Sequence, residues 1–386
     1  MRRLTILWGG LGAVFLAGAI GAGWILSLPP APSAYEPPPL ASGEAETILD
    51  ALKPRSRERP VIAIVGINNA TEVTDYLMPY GVLRRSDVAD VVLLATETGR
   101  VKLYPALTVE PHATLAEFDA RRPRGADYVM VPAMSRDDDP VVLQWLRDQS
   151  AKGAMIIGVC AGAKVVGRAG LLDGKRATTH WYYLDELRKN SPSLRYVPDR
   201  RVVVDDGVAT TTGVTASMPV TLTLIEAITG REKAEAVARE IGLTQWDARH
   251  ASAAFQFTRP FALTALTNTL AFWNREELGI ELEPGVDEVS LALVADAWSR
   301  TYRSRALTFS RDAVHESRHG VRIVADRVTS DWPPQETLPA IGNREPARAL
   351  DQALQRISAR YGQRTAYLVA MQLEYPERRA IHSASR

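Results

Sequence analysis

Cysteine is nearly absent: Cys160 is the only one in 386 residues. One thiol excludes an intrachain disulfide and a Cys-rich zinc site. An excess of either charge is absent too, with 46 Lys and Arg against 45 Asp and Glu. That balance leaves no electrostatic footprint for nucleic acid, so no nucleic-acid partner is expected. The first strand is followed by neither a Gly-x4-Gly-Lys loop nor a dinucleotide fingerprint, so no cofactor is expected. His315 and His319 are four apart with no third ligand evident nearby, so no metal is expected either. What is present, 46% hydrophobic and 24% charged residues, is globular, and the length suits two domains.

Leu4 to Leu28 carries no charged residue. As a helix it would extend roughly 37 Å at about 1.5 Å per residue, enough to cross a bilayer. Trp8 and Trp24 stand near its ends, and Arg2 and Arg3 precede it. The expectation is a single-pass anchor over residues 1–28 in the cell membrane, with a cytoplasmic N-terminus and the main domain extracytoplasmic. The alternative is a cleaved signal peptide. Residues 29–59 are rich in proline and read as a linker, with a short helix through Glu44–Leu52.

Beyond the linker, short apolar runs alternate with helical patterns. Val61–Gly66, Val91–Ala95, Tyr128–Pro132 and Met155–Val159 read as buried strands, with Val101–Leu107 a further strand. Helices are expected over Thr74–Leu83 and Val141–Ala151. The pattern predicts an α/β fold with a parallel sheet covered on both faces. Arg201–Val204 and Val208–Thr212 form a hairpin pattern, followed by helices through Pro219–Thr229 and Glu232–Ile241. This first domain spans 60–245. Residues 246–282 read as a mostly helical connection, with Pro260 breaking it. Residues 283–376 resemble a degenerate, smaller second α/β copy, since Asp287-Glu288-Val289-Ser290 echoes Thr71-Glu72-Val73-Thr74. Its Thr365–Met371 stretch falls where a nucleophile strand would sit but holds no cysteine, and 377–386 is a tail.

The strongest local signal is Ile156-Ile157-Gly158-Val159-Cys160-Ala161-Gly162-Ala163. A buried strand runs through Gly-x-Cys-x-Gly into a helix, the pattern of an elbow that presents a nucleophile at the carboxyl end of a parallel sheet. The helix amino end is expected to lower the thiol pKa, and the Ala161 N–H to help hold an oxyanion. The competing reading is a buried cysteine acting as a small hydrophobe.

The block from Gly158 through Ala169-Gly170-Leu171-Leu172-Asp173-Gly174 to Thr178-Thr179-His180-Trp181 resembles the ThiJ/PfpI superfamily, which is class I glutamine-amidotransferase-like. It is most similar to the branch of isocyanide hydratases and the sensing domains of amidase-like AraC-type regulators. Asp206-Gly207 through Thr212-Gly213-Val214 continues the likeness. The resemblance implies a flavodoxin-like parallel-sheet sandwich with a nucleophile elbow. It puts Asp75, within Asp75-Tyr76-Leu77-Met78-Pro79, in place of the acid that hydrogen-bonds the cysteine, with Glu72 as fallback. His180 stands where many members carry a histidine, as base or as substrate-orienting group. Ala161, Ala133, Thr212 and Gly213 are the implied oxyanion and substrate contacts. Pro132-Ala133-Met134 replaces the family's Pro-Gly-Gly, and Ala161 replaces a threonine of the isocyanide hydratases.

Two functions follow. One is hydrolase or hydratase-type chemistry, amidase-like or hydratase-like, by Cys160 on a small-molecule substrate. The other is a non-catalytic ligand-sensing or thiol redox-sensing module of the same fold. No helix-turn-helix pair follows residue 245, so no DNA-binding domain is expected. Family members are commonly dimers, which makes a homodimer a partner the resemblance allows.

Overall fold

The computed structural model describes residues 20–32, 36–54 and 57–375. Seven strands form the main sheet. Their order is Val202–Asp205, Val208–Thr211, Met155–Gly158, Tyr128–Val131, Val61–Gly66, Asp90–Ala95 and Ala113–Thr114. All pair in parallel except the Val202–Asp205 edge, which is the second arm of a hairpin. Alternate side chains of one strand enter two different cores. Ile62 and Ile64 join one cluster, while Val61, Ala63 and Val65 join the other. That split explains why the strand is apolar throughout: neither face meets water.

One face is covered by the Pro140–Ala151, Gly162–Arg168 and Leu184–Asn190 helices. The other carries Val73–Ser86, Ser217–Thr229 and Arg231–Ile241. The Val73–Ser86 helix packs in turn against Glu288–Ser299 of the C-terminal segment. The approach is close, since a Cβ on Gly81 would come within 2.5 Å of Glu288 Oε1 and Val289 Cγ2. Arg85 pairs with both Asp287 and Glu288 across this contact.

The C-terminal segment has a small sheet of its own, Glu276–Glu281, Ser304–Ser310 and Arg327–Val328, all parallel. It is nevertheless joined to the first unit. Val314–Glu316 and Arg322–Val324 extend a five-stranded sheet with Thr108–Glu110, Val101–Tyr104 and Asn69–Glu72. Leu291, Leu350 and Val369 belong to the same core cluster as Ile62 and Tyr76.

Two sequence expectations need correction here. The stretch 246–258 is largely irregular, and the helix begins at Arg259 and runs to Leu270. Pro260 sits in the first turn, where its missing N–H costs nothing, so it starts a helix rather than breaking one. Extended chain follows at Glu276–Glu281, inside the stretch expected to be helical. Thr365–Met371 lies in a helix, Gln363–Gln372, not a strand. Its Ala, Leu, Met and Gln residues are good helix formers, and Gly362 at φ 88° supplies the turn before it.

The apolar run expected to cross a membrane falls mainly on residues 4–19, outside the described residues. Residues 20–27 are helical. Among the described residues no helix is long and apolar enough to cross a membrane.

Candidate active site

The Met155–Gly158 strand and the Gly162–Arg168 helix meet at Cys160, which has φ of 55°. A side chain pays for this left-handed conformation, so the surroundings must impose it. They do so from both sides. Thr211 Oγ1 accepts the Cys160 N–H at 3.1 Å, and Thr179 Oγ1 donates to the Cys160 carbonyl at 3.0 Å. The two flanking glycines are steric requirements. A Cβ on Gly158 would lie 3.0 Å from the Ala163 backbone, and one on Gly162 would overlap the Val131 carbonyl oxygen.

Cys160 lies at the floor of a cavity of about 550 Å³. Ala161, Ala133 and His180 line it as well. Aromatic residues, among them Trp181, Tyr183, Phe257 and Phe261, make up a large part of its wall, beside the charged Glu72, Lys164 and Arg300. Trp181 meets Phe261 edge-on, with ring centroids 5.5 Å apart. The C-terminal segment supplies Arg300, Tyr302 and Gln372.

Asp75 is fully buried on the first turn of the Val73–Ser86 helix. Its Oδ2 accepts the Ala133 N–H at 3.1 Å and its Oδ1 has no hydrogen-bond partner among the described residues, so the hydrogen bond to Cys160 that the resemblance implies is not formed. Burial, then the Glu72 charge, drives its pKa well above the carboxylate range. Glu72 borders the cavity, and its Oε1 accepts from Arg300 at 2.7 Å. Arg300 also donates to Asp296 Oδ1 at 2.6 Å. Asp296 is pushed up to about 8, mainly by burial, with the Arg300 charge opposing.

The thiol does not follow the sequence expectation. Burial first, then the charges of Asp75, Glu72 and Glu374, raise the Cys160 pKa well above its ordinary value. The Ala161 N–H pulls the other way but does not win. A short helix facing three carboxyl groups cannot offset desolvation, so the resting group is the thiol.

His180 has both ring nitrogens engaged. Nε2 is 2.9 Å from the Gln372 carbonyl, and Nδ1 accepts the Tyr182 N–H at 3.2 Å. The ring is therefore the Nε2–H tautomer, and burial lowers its pKa to about 4. Both nitrogens are used within the protein, so neither is free to take a proton as a base or to hydrogen-bond a substrate. Thr212 and Gly213 lie beneath the site rather than on the cavity wall. The Gly213 N–H donates to Glu374 Oε2 at 2.7 Å. Ala133 and Ala161 both reach the cavity, and the Ala133 N–H is already engaged with Asp75.

Sequence reasoning missed Arg300, Gln372 and Glu374. Glu374 is buried, accepts from Trp181 N and Gly213 N at 2.7 Å each, and lies 3.4 Å from His250 Nε2. Nothing local marks these residues, because each reaches the site across the fold. His319 meets Asp287 and Glu288, a grouping of metal-ligating types. Arg85 pairs with both acids there, so the cluster is answered by protein cations.

The site thus sits in a parallel α/β sheet domain, on a strained cysteine elbow with a buried acid on the neighbouring helix. Residues 61–227 match the DJ-1/PfpI family, and the chain carries a domain of that family there. Isonitrile hydratase of Pseudomonas putida is 38% identical over 149 residues, covering 38% of this chain and 60% of that protein. The HTH-type transcriptional regulator CdhR of Pseudomonas aeruginosa is 36% identical over 104 residues, 27% of this chain and 31% of the regulator. The chain thus spans less than two thirds of the length of either. The crystal structure of Drosophila melanogaster DJ-1beta shares 23% identity with a TM-score of 0.44, covering 48% of this chain and all of that one.

Proposed function

We propose that the protein is a cysteine-dependent hydratase or hydrolase of a small, largely apolar molecule, held at a membrane by its N-terminal segment. The observation that carries this is Cys160 on a strained elbow at the floor of an aromatic-walled cavity, with the buried Asp75 carboxyl on the adjacent helix. The likeness to isonitrile hydratase makes isonitriles the first substrate class to try.

The chemistry balances on these groups. The thiol adds across the terminal carbon: sulfur bonds to it and the S–H proton is delivered to it, giving a thioimidate. Water then adds to the C=N bond, its oxygen to carbon and a proton to nitrogen. The tetrahedral adduct collapses, the hydroxyl proton returns to sulfur and the C–S bond breaks, releasing an N-substituted formamide. We assign proton relay between sulfur, carbon and nitrogen to Asp75, whose pKa burial raises well above the carboxylate range. The Ala161 N–H steadies the developing charge. The test is turnover by the purified chain with and without Cys160→Ala.

A second reading has its own support. The Ala133 N–H and both His180 nitrogens are already occupied, so the site is poorer in catalytic donors than its cavity is in binding surface. A ligand sensor of the same fold would bind without turnover, and the Cys160→Ala variant would bind as well as the wild type.

A further inference from the structure

The Arg259–Leu270 helix shows the cavity one face and solvent another. Phe261 and Ala265 line the cavity. On the outer face Leu263, Leu266 and Leu270 are exposed, at the spacing of one helical stripe. The chain continues into Phe272 and Trp273, which are 65% and 70% exposed with their rings edge to face. From Pro260 to Asn274 there is no charged residue, and Arg259 and Arg275 flank the run. An exposed helix of a water-facing surface carries charges on that stripe; this one carries leucine and aromatic groups.

The position of the stripe identifies what covers it. The uncharged Leu4–Leu28 run ends at the amino end of this same helix. Arg259 donates to the Leu26 carbonyl at 2.7 Å and to the Leu28 carbonyl at 3.3 Å, and its N–H donates to the Pro29 carbonyl. Trp24 packs on Phe257, centroids 5.7 Å apart. Ile20, Trp24 and Leu26 are themselves exposed, so the apolar surface continues from the end of the run onto the helix.

We propose that Leu263, Leu266, Leu270, Phe272 and Trp273 form an interfacial face that lies in the headgroup region of a lipid bilayer. Such faces sink on the order of 5–10 Å, with aromatic rings at headgroup depth and flanking cations toward anionic lipid. The inference rests on the anchoring proposed above for its geometry, and gives that anchor a second contact that turns the aromatic wall of the cavity toward the membrane.

The test uses the full chain reconstituted in mixed phosphatidylcholine–phosphatidylglycerol vesicles, in a Cys160→Ala background. A nitroxide is placed at Leu266→Cys, in a second sample at Trp273→Cys, and as a control at the surface position Asp148→Cys. Oxygen should relax the first two labels more than a water-soluble nickel chelate does, and the control should show the reverse. Nickel access at positions 266 and 273 equal to the control overturns the proposal. So does dipolar broadening between labels, which would make a second copy the occupant, or protection from both relaxants, which would make it a segment of the chain itself. Alkaline carbonate extraction of the same vesicles reads the anchor separately. Retention with nickel-accessible labels sinks the face alone, and extraction of a chain whose labels had read lipid sinks the anchor alone.

Discussion

Asp75 gives one carboxyl oxygen to the Ala133 N–H at 3.1 Å and keeps the other unpaired in the interior beside the elbow cysteine. A buried acid in that state holds its proton, and its charge, when present, pushes the thiol pKa up.

Asp75→Asn keeps an acceptor for Ala133 and removes the transferable proton. Turnover should fall by about a hundredfold or more, in the range for loss of a general acid–base. The Cys160 pKa should drop, because the negative charge that Asp75 carries once it has lost its proton is gone. The rate of iodoacetamide alkylation against pH reads this directly. A midpoint that stays or rises contradicts the relationship.

Arg300 joins the C-terminal segment to the site through Glu72 and is held on its own helix by Asp296. Arg300→Met leaves two buried acids without their cation, and should cost about 3–5 kcal/mol in urea unfolding. Arg300→Lys keeps the charge without the two-pronged geometry and should fall between that variant and the wild type. Equal stability of Arg300→Met and the wild type would mean that the pairing does not hold the two parts together.

How much of this was legible beforehand depended on distance along the chain. The elbow could be read because Gly158, Cys160 and Gly162 are neighbours, and steric need writes itself into adjacent residues. The central strands could be read because each is apolar on both faces. Arg300 and Glu374 could not, since a charged residue at the end of a helix looks solvated until the fold buries it. The direction of the thiol pKa is hidden for the same reason: the helix beside Cys160 is local, while its burial and the charges of Asp75, Glu72 and Glu374 come from tertiary structure. Pro260 misled because proline in the first turn and proline within a helix look alike without knowing where the helix starts.

Glycine at 162 has no tolerated replacement. Gly162→Ala drives a methyl group into the Val131 carbonyl, which is backbone and cannot step aside. The loss should be about 3 kcal/mol or more, or failure to fold. Gly174→Ala, at an open turn with φ of 69°, should cost less, through its backbone conformation alone. Thermal unfolding of the two variants ranks them, and the reverse order would contradict the elbow geometry.

Stability should carry a pH signature from Glu374. Burial raises it from the ordinary 4.5 to about 7, so the native state binds this proton more tightly than the unfolded chain. Its contribution is fully present below pH 4.5 and is lost as pH rises through 7. His180 and His250 act oppositely: burial lowers them from 6.5 to about 4 and about 3, so their contribution is present above pH 6.5 and fades on acidification. Glu374→Gln removes only the first limb. Relative to wild type it should gain up to about 3 kcal/mol between pH 4.5 and 8, at about 1.4 kcal/mol per unit. Urea midpoints of the two proteins that run parallel across that interval would remove Glu374 as the titrating group.

The most direct test follows loss of the isonitrile infrared band on adding the purified chain to a panel of small aryl and alkyl isonitriles, with Cys160→Ala run beside it and ligand binding measured calorimetrically on both. The wild type should consume at least one isonitrile and yield the formamide. The variant should bind that compound and turn it over on the order of a thousandfold more slowly or less. Consumption by Cys160→Ala at the wild-type rate would show that the elbow sulfur is not the reacting atom.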